Sequence, residues 1–281
     1  MVESITELRK ICQPAEIVDN NAWYARIFAR KISIYFTKLL LYTQISANQA
    51  TFLFVLIGII SGMIFWRGTP LANLLGIILL QLWYIFDHVD GEIARYRKQV
   101  SITGAYLDGI AHYICHPFFF LSLSIGAFNY LNDVWALYLG MFGAFSSVLD
   151  LIVYDGYAEP ILVRLEKLSD KEKNVISDSV LEGSVVKKKN ILKMILGQIN
   201  KIIFKMNRFY HALNVITLVV IINYFYPIIL IGAFKLSPVY LLLLFYSITF
   251  SIDWISKMYI TVRFESVDKK YQELTKRLLG K

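Results

Sequence analysis

Several ionisable side chains lie within largely apolar stretches of the sequence, and four of them are close in spacing: Asp87, Asp90, Asp108 and His112. Charged groups in such stretches are costly to bury and usually mark a functional site. Asp87 and Asp90 share a face of one predicted helix, and Asp108 and His112 share a face of the next, because residues three and four apart lie on one side of a helix. Carboxylates at close range repel each other in a low dielectric, so we expect two divalent cations, Mg²⁺ or Mn²⁺, to bind among them.

Small residues accompany these acids and leave space beside them. Gly91 and Ala94 lie on the acidic face of the first predicted helix, and Gly104 lies one turn before Asp108 on the second. Arg95 offers a planar fork of donors that suits phosphate. Carboxylates, cations, free space and an arginine together indicate a phosphoanhydride site, in which a nearby base deprotonates an attacking alcohol.

The spacing of these residues resembles a known signature. The stretch from Asp87 to His112 meets seven of the eight positions, spread over 26 residues, that mark the CDP-alcohol phosphatidyltransferase family. The eighth position is His112, where that family has a fourth Asp. Residues 46–51 resemble the family's entry to the first span, and Asn48 matches the Asn of its usual Pro-Asn pair. Beyond residue 155 the resemblance is architectural only.

The resemblance implies an activity, which is the transfer of a phosphatidyl or phospho-alcohol group from a CDP-linked donor to an alcohol acceptor, with release of CMP, in phospholipid biosynthesis. It also implies a homodimer. It puts His112 in the position of a metal ligand and catalytic base, and Arg95 in contact with the donor diphosphate. The implied site residues are Asp87, Asp90, Asp108 and His112 for the metals, and Asn48, Gly91, Ala94, Arg95 and Gly104 for the substrate.

The composition is typical of a protein embedded in a membrane. The 281 residues are 57% hydrophobic and 18% charged, whereas soluble domains have about 45–50% apolar and about 25% charged residues. Cys12 and Cys115 are the only cysteines, which excludes a disulfide framework. At this hydrophobicity, the net charge of +8 favours contact with lipid head groups over nucleic acid. We therefore expect a multi-pass integral membrane protein that binds no nucleic acid.

Six apolar stretches are long enough to cross a bilayer, since one crossing needs about 20 residues. Their limits are about 47–66, 71–94, 104–128, 134–154, 211–233 and 237–260. If both termini face the cytoplasm, all 29 Lys and Arg residues except Arg67 and Lys235 lie on the cytoplasmic side, as the positive-inside rule requires. The predicted fold is therefore all-α, with six transmembrane helices, both termini cytoplasmic, and an active site at the cytoplasmic end of the second and third helices.

An amphipathic segment precedes the first span. Residues 23–42 have apolar side chains on one side and four cations on the other, which predicts a helix lying in the membrane interface, with an additional span as the alternative. The predicted organisation is a cytoplasmic tail with this helix over 1–45, the six-helix domain over 46–260, and a cytoplasmic tail over 261–281. Within the domain, the connection 155–210 is cytoplasmic and carries a second interfacial helix.

Two other functions remain open at this point. A histidine in place of the fourth acid is compatible with a family member that has lost catalysis and persists as a scaffold that binds lipid or a CDP-linked donor. A small transporter is the third hypothesis, although the acids cluster at one face and form no path across the membrane. Asp150 and Asp253, each near a helix end, are expected to contact interfacial water.

Overall fold

The computed structural model describes residues 2–20, 23–156, 158, 160–162, 209–231, 234–263 and 266–278. The chain divides into two compact units, the first formed by residues 1–145 with 208–248 and the second by residues 146–207 with 249–281. Most of the predicted connection 155–210, including its second interfacial helix, lies outside the described residues.

Short helices form the amino-terminal part of the first unit. Helix α1 spans Ile5–Cys12 and is capped by the Ser4 hydroxyl. Helix α2 spans Ala15–Asn20, a π-helical turn spans Ala25–Ala29, and α3 spans Arg30–Leu41. Helix α3 follows the π-helical turn without a break, so residues 23–41 are helical throughout, as predicted for the amphipathic segment.

Five described helices are long and apolar enough to cross a membrane. Side chains cap the starts of three of them, because Ser46, Thr69 and Ser101 each accept a hydrogen bond from the backbone N–H three residues later. The first four of the five are α4 (Ala47–Phe65), α5 (Pro70–Tyr96), α6 (Ile102–Leu131) and α7 (Trp135–Asp155).

Over residues 211–233 the structure differs from the predicted span. Helix α8 covers Phe209–Phe225, which is 17 residues, and ends before Pro227. Proline disfavours a helical conformation in the preceding residue, so the apolar stretch continues without helix. The chain then forms an antiparallel hairpin of β1 (Ile229–Ile231) and β2 (Phe234–Leu236), which the all-α prediction omitted. The last helices follow as α9 (Pro238–Arg263), the fifth of membrane-spanning length, and α10 (Ser266–Leu278).

Helix α4 packs against both α5 and α6. Trp83 of α5 is fully buried and meets the ring of Phe54 edge to face, with 5.8 Å between centroids. Gly58 of α4 makes room for it, because a Cβ there would lie 2.8 Å from the Trp83 ring. The turn from α4 to α5 needs Gly68, whose φ is +66° and whose Cβ would lie 1.8 Å from the carbonyl oxygen of Gly126. These contacts fix the helices that carry the predicted site.

An ion-pair cluster lies inside the second unit. Lys257 Nζ is 2.5 Å from Asp150 Oδ1 and 3.2 Å from Asp253 Oδ2. Asp253 is buried, so the expectation that these two acids simply contact water does not describe them. The shared lysine lets one buried and one partly buried carboxylate remain in an apolar helix pair without an uncompensated charge.

Candidate active site

Helices α5 and α6 are joined by only five residues, 97–101, so the end of α5 and the start of α6 lie on the same side of the molecule. Their side chains meet there. His112 Nε2 is 3.1 Å from Asp87 Oδ1 and 3.5 Å from Asp108 Oδ1. One ligand atom from each of the three residues lies within 4.8 Å of the others. Three of the four predicted metal ligands are thus brought into one cluster.

The donor atoms of this cluster fit a divalent cation. Two carboxylates and an imidazole supply oxygen and nitrogen donors, a set that suits Mn²⁺ and related ions. Asp108 Oδ1 is buried and has no hydrogen-bond partner among the described residues, with the His112 ring 3.5 Å away, so a cation would satisfy an atom that accepts no hydrogen bond. The Asp108 side chain as a whole is 45% exposed, which opens the cluster to its surroundings.

Asp90, the fourth predicted ligand, is held separately from the other three. Its carboxylate accepts hydrogen bonds from Thr51 Oγ1 at 2.7 Å and from the Gly91 backbone N–H at 2.5 Å. No role for Thr51 followed from the sequence. Its position three residues after Asn48 puts both on one face of α4, which is a signal that sequence reasoning overlooked.

A cleft of about 160 Å³ opens beside the carboxylates. Residues from α4, α5 and α6 line it, together with the connection between α5 and α6, and both Asp90 and Asp108 face it. All five residues that the resemblance assigned to the substrate also line it: Asn48, Gly91, Ala94, Arg95 and Gly104. A ligand in this cleft would therefore contact the carboxylates and the small residues at once.

Glycines keep the cleft open at two places. A Cβ at Gly104 would lie 3.6 Å from Asn48 Oδ1 and 3.3 Å from Ser101 Oγ. A Cβ at Gly91 would lie 3.1 Å from Arg95 Nη1 and 3.5 Å from Arg95 Nη2. Any larger side chain at either position would thus enter the cleft or displace its polar groups.

The orientation of Arg95 depends on the amino-terminal helix. Arg95 Nε donates to the backbone carbonyl of Cys12 at 2.6 Å. This bond leaves the two terminal nitrogens beside Gly91, where the guanidinium borders the cleft. Burial raises the pKa of the Cys12 thiol to about 12, so the thiol stays protonated. The contact of this residue with Arg95 is made by its backbone carbonyl.

Glu92 is an acid for which the sequence predicted no role. It is fully buried and accepts hydrogen bonds from Gln13 Nε2 at 2.7 Å and from Ser33 Oγ and Thr37 Oγ1 at 2.6 Å each. Arg30 Nη1 lies 3.7 Å away. Burial lowers the pKa of Arg30, whereas the charge of Glu92 opposes that shift. Glu92 thereby ties α3 and the end of α1 to the helix that carries the site.

The faces of α3 follow from this contact. Its polar residues Ser33 and Thr37 are buried against Glu92, while Tyr35 and Leu39 are exposed. An apolar surface turned outward is what a helix lying against lipid requires. The inward face, in contrast, is polar because it must satisfy a buried carboxylate.

Comparison with known proteins agrees with the geometry. Residues 44–166 match the family model described as CDP-alcohol phosphatidyltransferase, and this segment contains the cluster and the cleft. Proteins named bifunctional IPC transferase and DIPP synthase are similar to it. The one from Thermococcus kodakarensis is 32% identical over 115 residues, and the one from Archaeoglobus fulgidus is 32% identical over 129 residues.

The extent of these similarities differs. The matches cover 41% and 46% of this chain but only 25% and 24% of the two relatives, so the chain spans about a quarter of their length. A solved structure, the Mycobacterium tuberculosis phosphatidylinositol phosphate synthase PgsA1 with CDP-DAG bound, superimposes with a TM-score of 0.52. The superposition covers 82% of this chain and 92% of the PgsA1 chain, at 14% sequence identity. That likeness establishes a shared fold, and the family match confirms the resemblance read from the motif.

We expect Glu92→Gln to loosen the amino-terminal helices. The amide carries no charge to balance Arg30, and its N–H₂ group replaces one of the two oxygens that accept these hydrogen bonds, at a cost of about 1–3 kcal/mol. Hydrogen exchange of the α1 amides should accelerate. The matched control is Glu7→Gln, because Glu7 bonds only to Ser4 within its own capping box and Gln also completes such a box. Unchanged α1 exchange in Glu92→Gln would mean that Glu92 does not hold this helix.

Proposed function

The segment 44–166 belongs to the CDP-alcohol phosphatidyltransferase family, and on this premise we propose that the protein is an integral membrane transferase. It moves a phosphatidyl or phospho-alcohol group from a CDP-linked donor to the hydroxyl of an alcohol acceptor and releases CMP. The observation that carries this proposal is one cleft, inside that segment, lined by Asp90, Arg95 and Asp108, the last of which also belongs to the carboxylate cluster.

The donor binds in the cleft. Gly91, Ala94 and Gly104 leave its walls without bulky side chains, so the flat base of a cytidine nucleotide can enter. The terminal nitrogens of Arg95 donate to the diphosphate, and Asn48 offers an amide to the nucleotide. The bound CDP-DAG in the PgsA1 structure supports a CDP-linked lipid as the donor.

The charge of the diphosphate is met by the acidic cluster. Asp87, Asp90, Asp108 and His112 would hold two divalent cations, Mg²⁺ or Mn²⁺, which when bound neutralise the transferring phosphoryl group and the leaving CMP. The buried Oδ1 of Asp108, which accepts no hydrogen bond among the described residues, supports this assignment. Asp90 contributes from the cleft side, held in place by Thr51.

His112 serves as the base. Because Nε2 has a single lone pair, it binds no cation in this role; it takes the proton of the acceptor hydroxyl while that oxygen bonds to phosphorus and the bond from phosphorus to the CMP oxygen breaks. Asp87, 3.1 Å from this nitrogen, stabilises the imidazolium that results.

The membrane arrangement is also part of the proposal. We propose six membrane crossings, of which α8 is the shortest. Both termini and the cleft face the cytoplasm. The limits of the tails and of the six-helix domain are those predicted from the sequence. The support is the distribution of Lys and Arg, of which all but Arg67 and Lys235 then lie on the cytoplasmic side. A homodimer follows from the family resemblance.

A second candidate function is a scaffold that binds the CDP-linked donor or lipid without turnover. The observation that favours it is the imidazole at position 112, where the family has an acid. A CDP-linked donor that binds in the cleft with no release of CMP would select this function.

Asp108→Asn should reduce CMP release from CDP-diacylglycerol and a panel of alcohols by more than about 100-fold. Loss of a residue that only supports a metal ligand typically costs about 10–100-fold in activity, and loss of the ligand itself should cost more. The substitution removes a charge and hardly changes volume. Asp268→Asn, at an exposed position of α10, is the control and should retain full activity. Equal activity in the two variants would remove Asp108 from the metal site.

Gly91→Leu should abolish the protection against heat that CDP-diacylglycerol gives the protein. Its Cβ alone would lie 3.1 Å from Arg95 Nη1, and the rest of the side chain would fill the cleft. Gly109→Leu is the matched control on α6, since a Cβ there meets nothing within 4 Å. Melting temperatures with and without donor measure the effect. Full protection of Gly91→Leu would place the donor elsewhere.

Variants of His112 separate the enzyme from the scaffold. We expect the natural protein to release CMP better with Mn²⁺ than with Mg²⁺, because a nitrogen ligand favours transition ions, and His112→Asp to shift that preference toward Mg²⁺. His112→Ala should be inactive with both. Turnover by His112→Asp alone, with none by the natural protein, would establish the scaffold function.

A further inference from the structure

A second histidine lies beside the carboxylate cluster. His116 follows His112 by one helical turn and is buried. Its Nε2 is 3.2 Å from Nδ1 of His112. It is not among the residues that line the cleft, and neither the motif nor the proposed reaction gives it a role.

The two ring nitrogens of His112 face different surroundings. Nε2 points to the cluster, 3.1 Å from Asp87 and 3.5 Å from Asp108, whereas Nδ1 points to His116. For Nε2 to present its lone pair to a cation or to a proton of the acceptor, the ring hydrogen must sit on Nδ1. That N–H needs an acceptor in a buried site, and His116 Nε2 lies at hydrogen-bonding distance.

Packing restricts both rings. Trp83 meets His112 edge to face at 5.7 Å between centroids and His116 at 6.0 Å. The His112 ring therefore cannot turn freely about its bond to exchange the two nitrogens. A carboxylate at position 112, as the family has, would carry no N–H and would need no such acceptor. The requirement arises from the imidazole itself.

We propose that His116 is a positioning residue, which accepts the Nδ1–H of His112 and thereby holds His112 in the tautomer and orientation that direct Nε2 at the metal cluster. The proposal rests on the metal site assigned under the proposed function. Supporting partners of ligating histidines set tautomer and ring orientation in this way, and their loss typically weakens metal affinity about 10–100-fold.

Manganese binding to the full-length protein in detergent, titrated calorimetrically without donor, tests this role directly. His116→Phe keeps a buried ring but offers no acceptor, and should weaken Mn²⁺ affinity about 10–100-fold. His116→Leu should weaken Mn²⁺ affinity to the same extent, and it serves as the test variant if His116→Phe does not fold. His116→Gln presents an amide oxygen near the position of Nε2 and should retain most of the affinity. Cys115→Ala, a buried neighbour on α6, is the control for packing and should not change it.

Repeating the His116 substitution with Asp at position 112 makes the test specific. In His112→Asp, whose carboxylate needs no acceptor, His116→Phe should leave Mn²⁺ affinity unchanged. The proposal is overturned if His116→Phe and His116→Leu bind Mn²⁺ like the natural protein, if His116→Gln is as weak as they are, or if the loss persists in His112→Asp. Since the titration needs no turnover, a protein that follows this pattern but releases no CMP would contradict the proposed function alone. Normal CMP release with no effect at His116 would contradict the positioning role alone.

Discussion

The constraint on which the rest of the structure depends is the charge carried by the last turns of α5. Four ionisable groups there enter an apolar bundle, and each requires a partner from a different element. Asp87 meets α6, Asp90 meets α4, Glu92 meets α3, and Arg95 meets the end of α1. The neighbours of α5 at this end are therefore set by electrostatic compensation as much as by apolar packing. An interaction with one of these groups fixes the position of a helix as well as a side chain.

This constraint divides the acids into two kinds. Asp90 and Glu92 are two residues apart and so point about 200° apart around the helix. Glu92 receives three hydrogen bonds and a nearby guanidinium, which leaves it no capacity for a cation. Asp108, in contrast, keeps a buried oxygen that accepts no hydrogen bond from the part of the chain that the structure describes. Such an atom costs free energy in the folded protein, and a site that accepts this cost is one prepared for a ligand. The fully satisfied acid stabilises the structure, and the incompletely satisfied one is left for chemistry.

The sequence contained the local part of this arrangement and little of the rest. Gly104, Asp108 and His112 follow each other at four-residue intervals, and helical geometry over so short a distance was enough to place them on one face. The partners of Glu92 carried no comparable signal, because Gln13 is 79 residues away in the chain and no pattern in either segment indicates the pairing. Pro227 indicates the end of α8, but the predicted span 211–233 followed from apolar composition, which continues past this proline. Periodicity reports one helix at a time, whereas burial and pairing belong to the assembled fold.

The imidazole at position 112 changes the charge balance of the site as well as its geometry. With a neutral His112, Asp87, Asp90 and Asp108 supply three negative charges, so two divalent cations leave one positive charge without a counterpart in the protein. A fourth carboxylate would have removed that excess. The diphosphate of a donor can supply the missing negative charge, and Arg95 at the cleft adds to the attraction. Binding of the second cation and of the donor must then favour each other, and by linkage the coupling is the same in both directions. If two cations bind as proposed, such a site would complete its metal content only with the donor present, because without it the pair of cations would be incompletely neutralised.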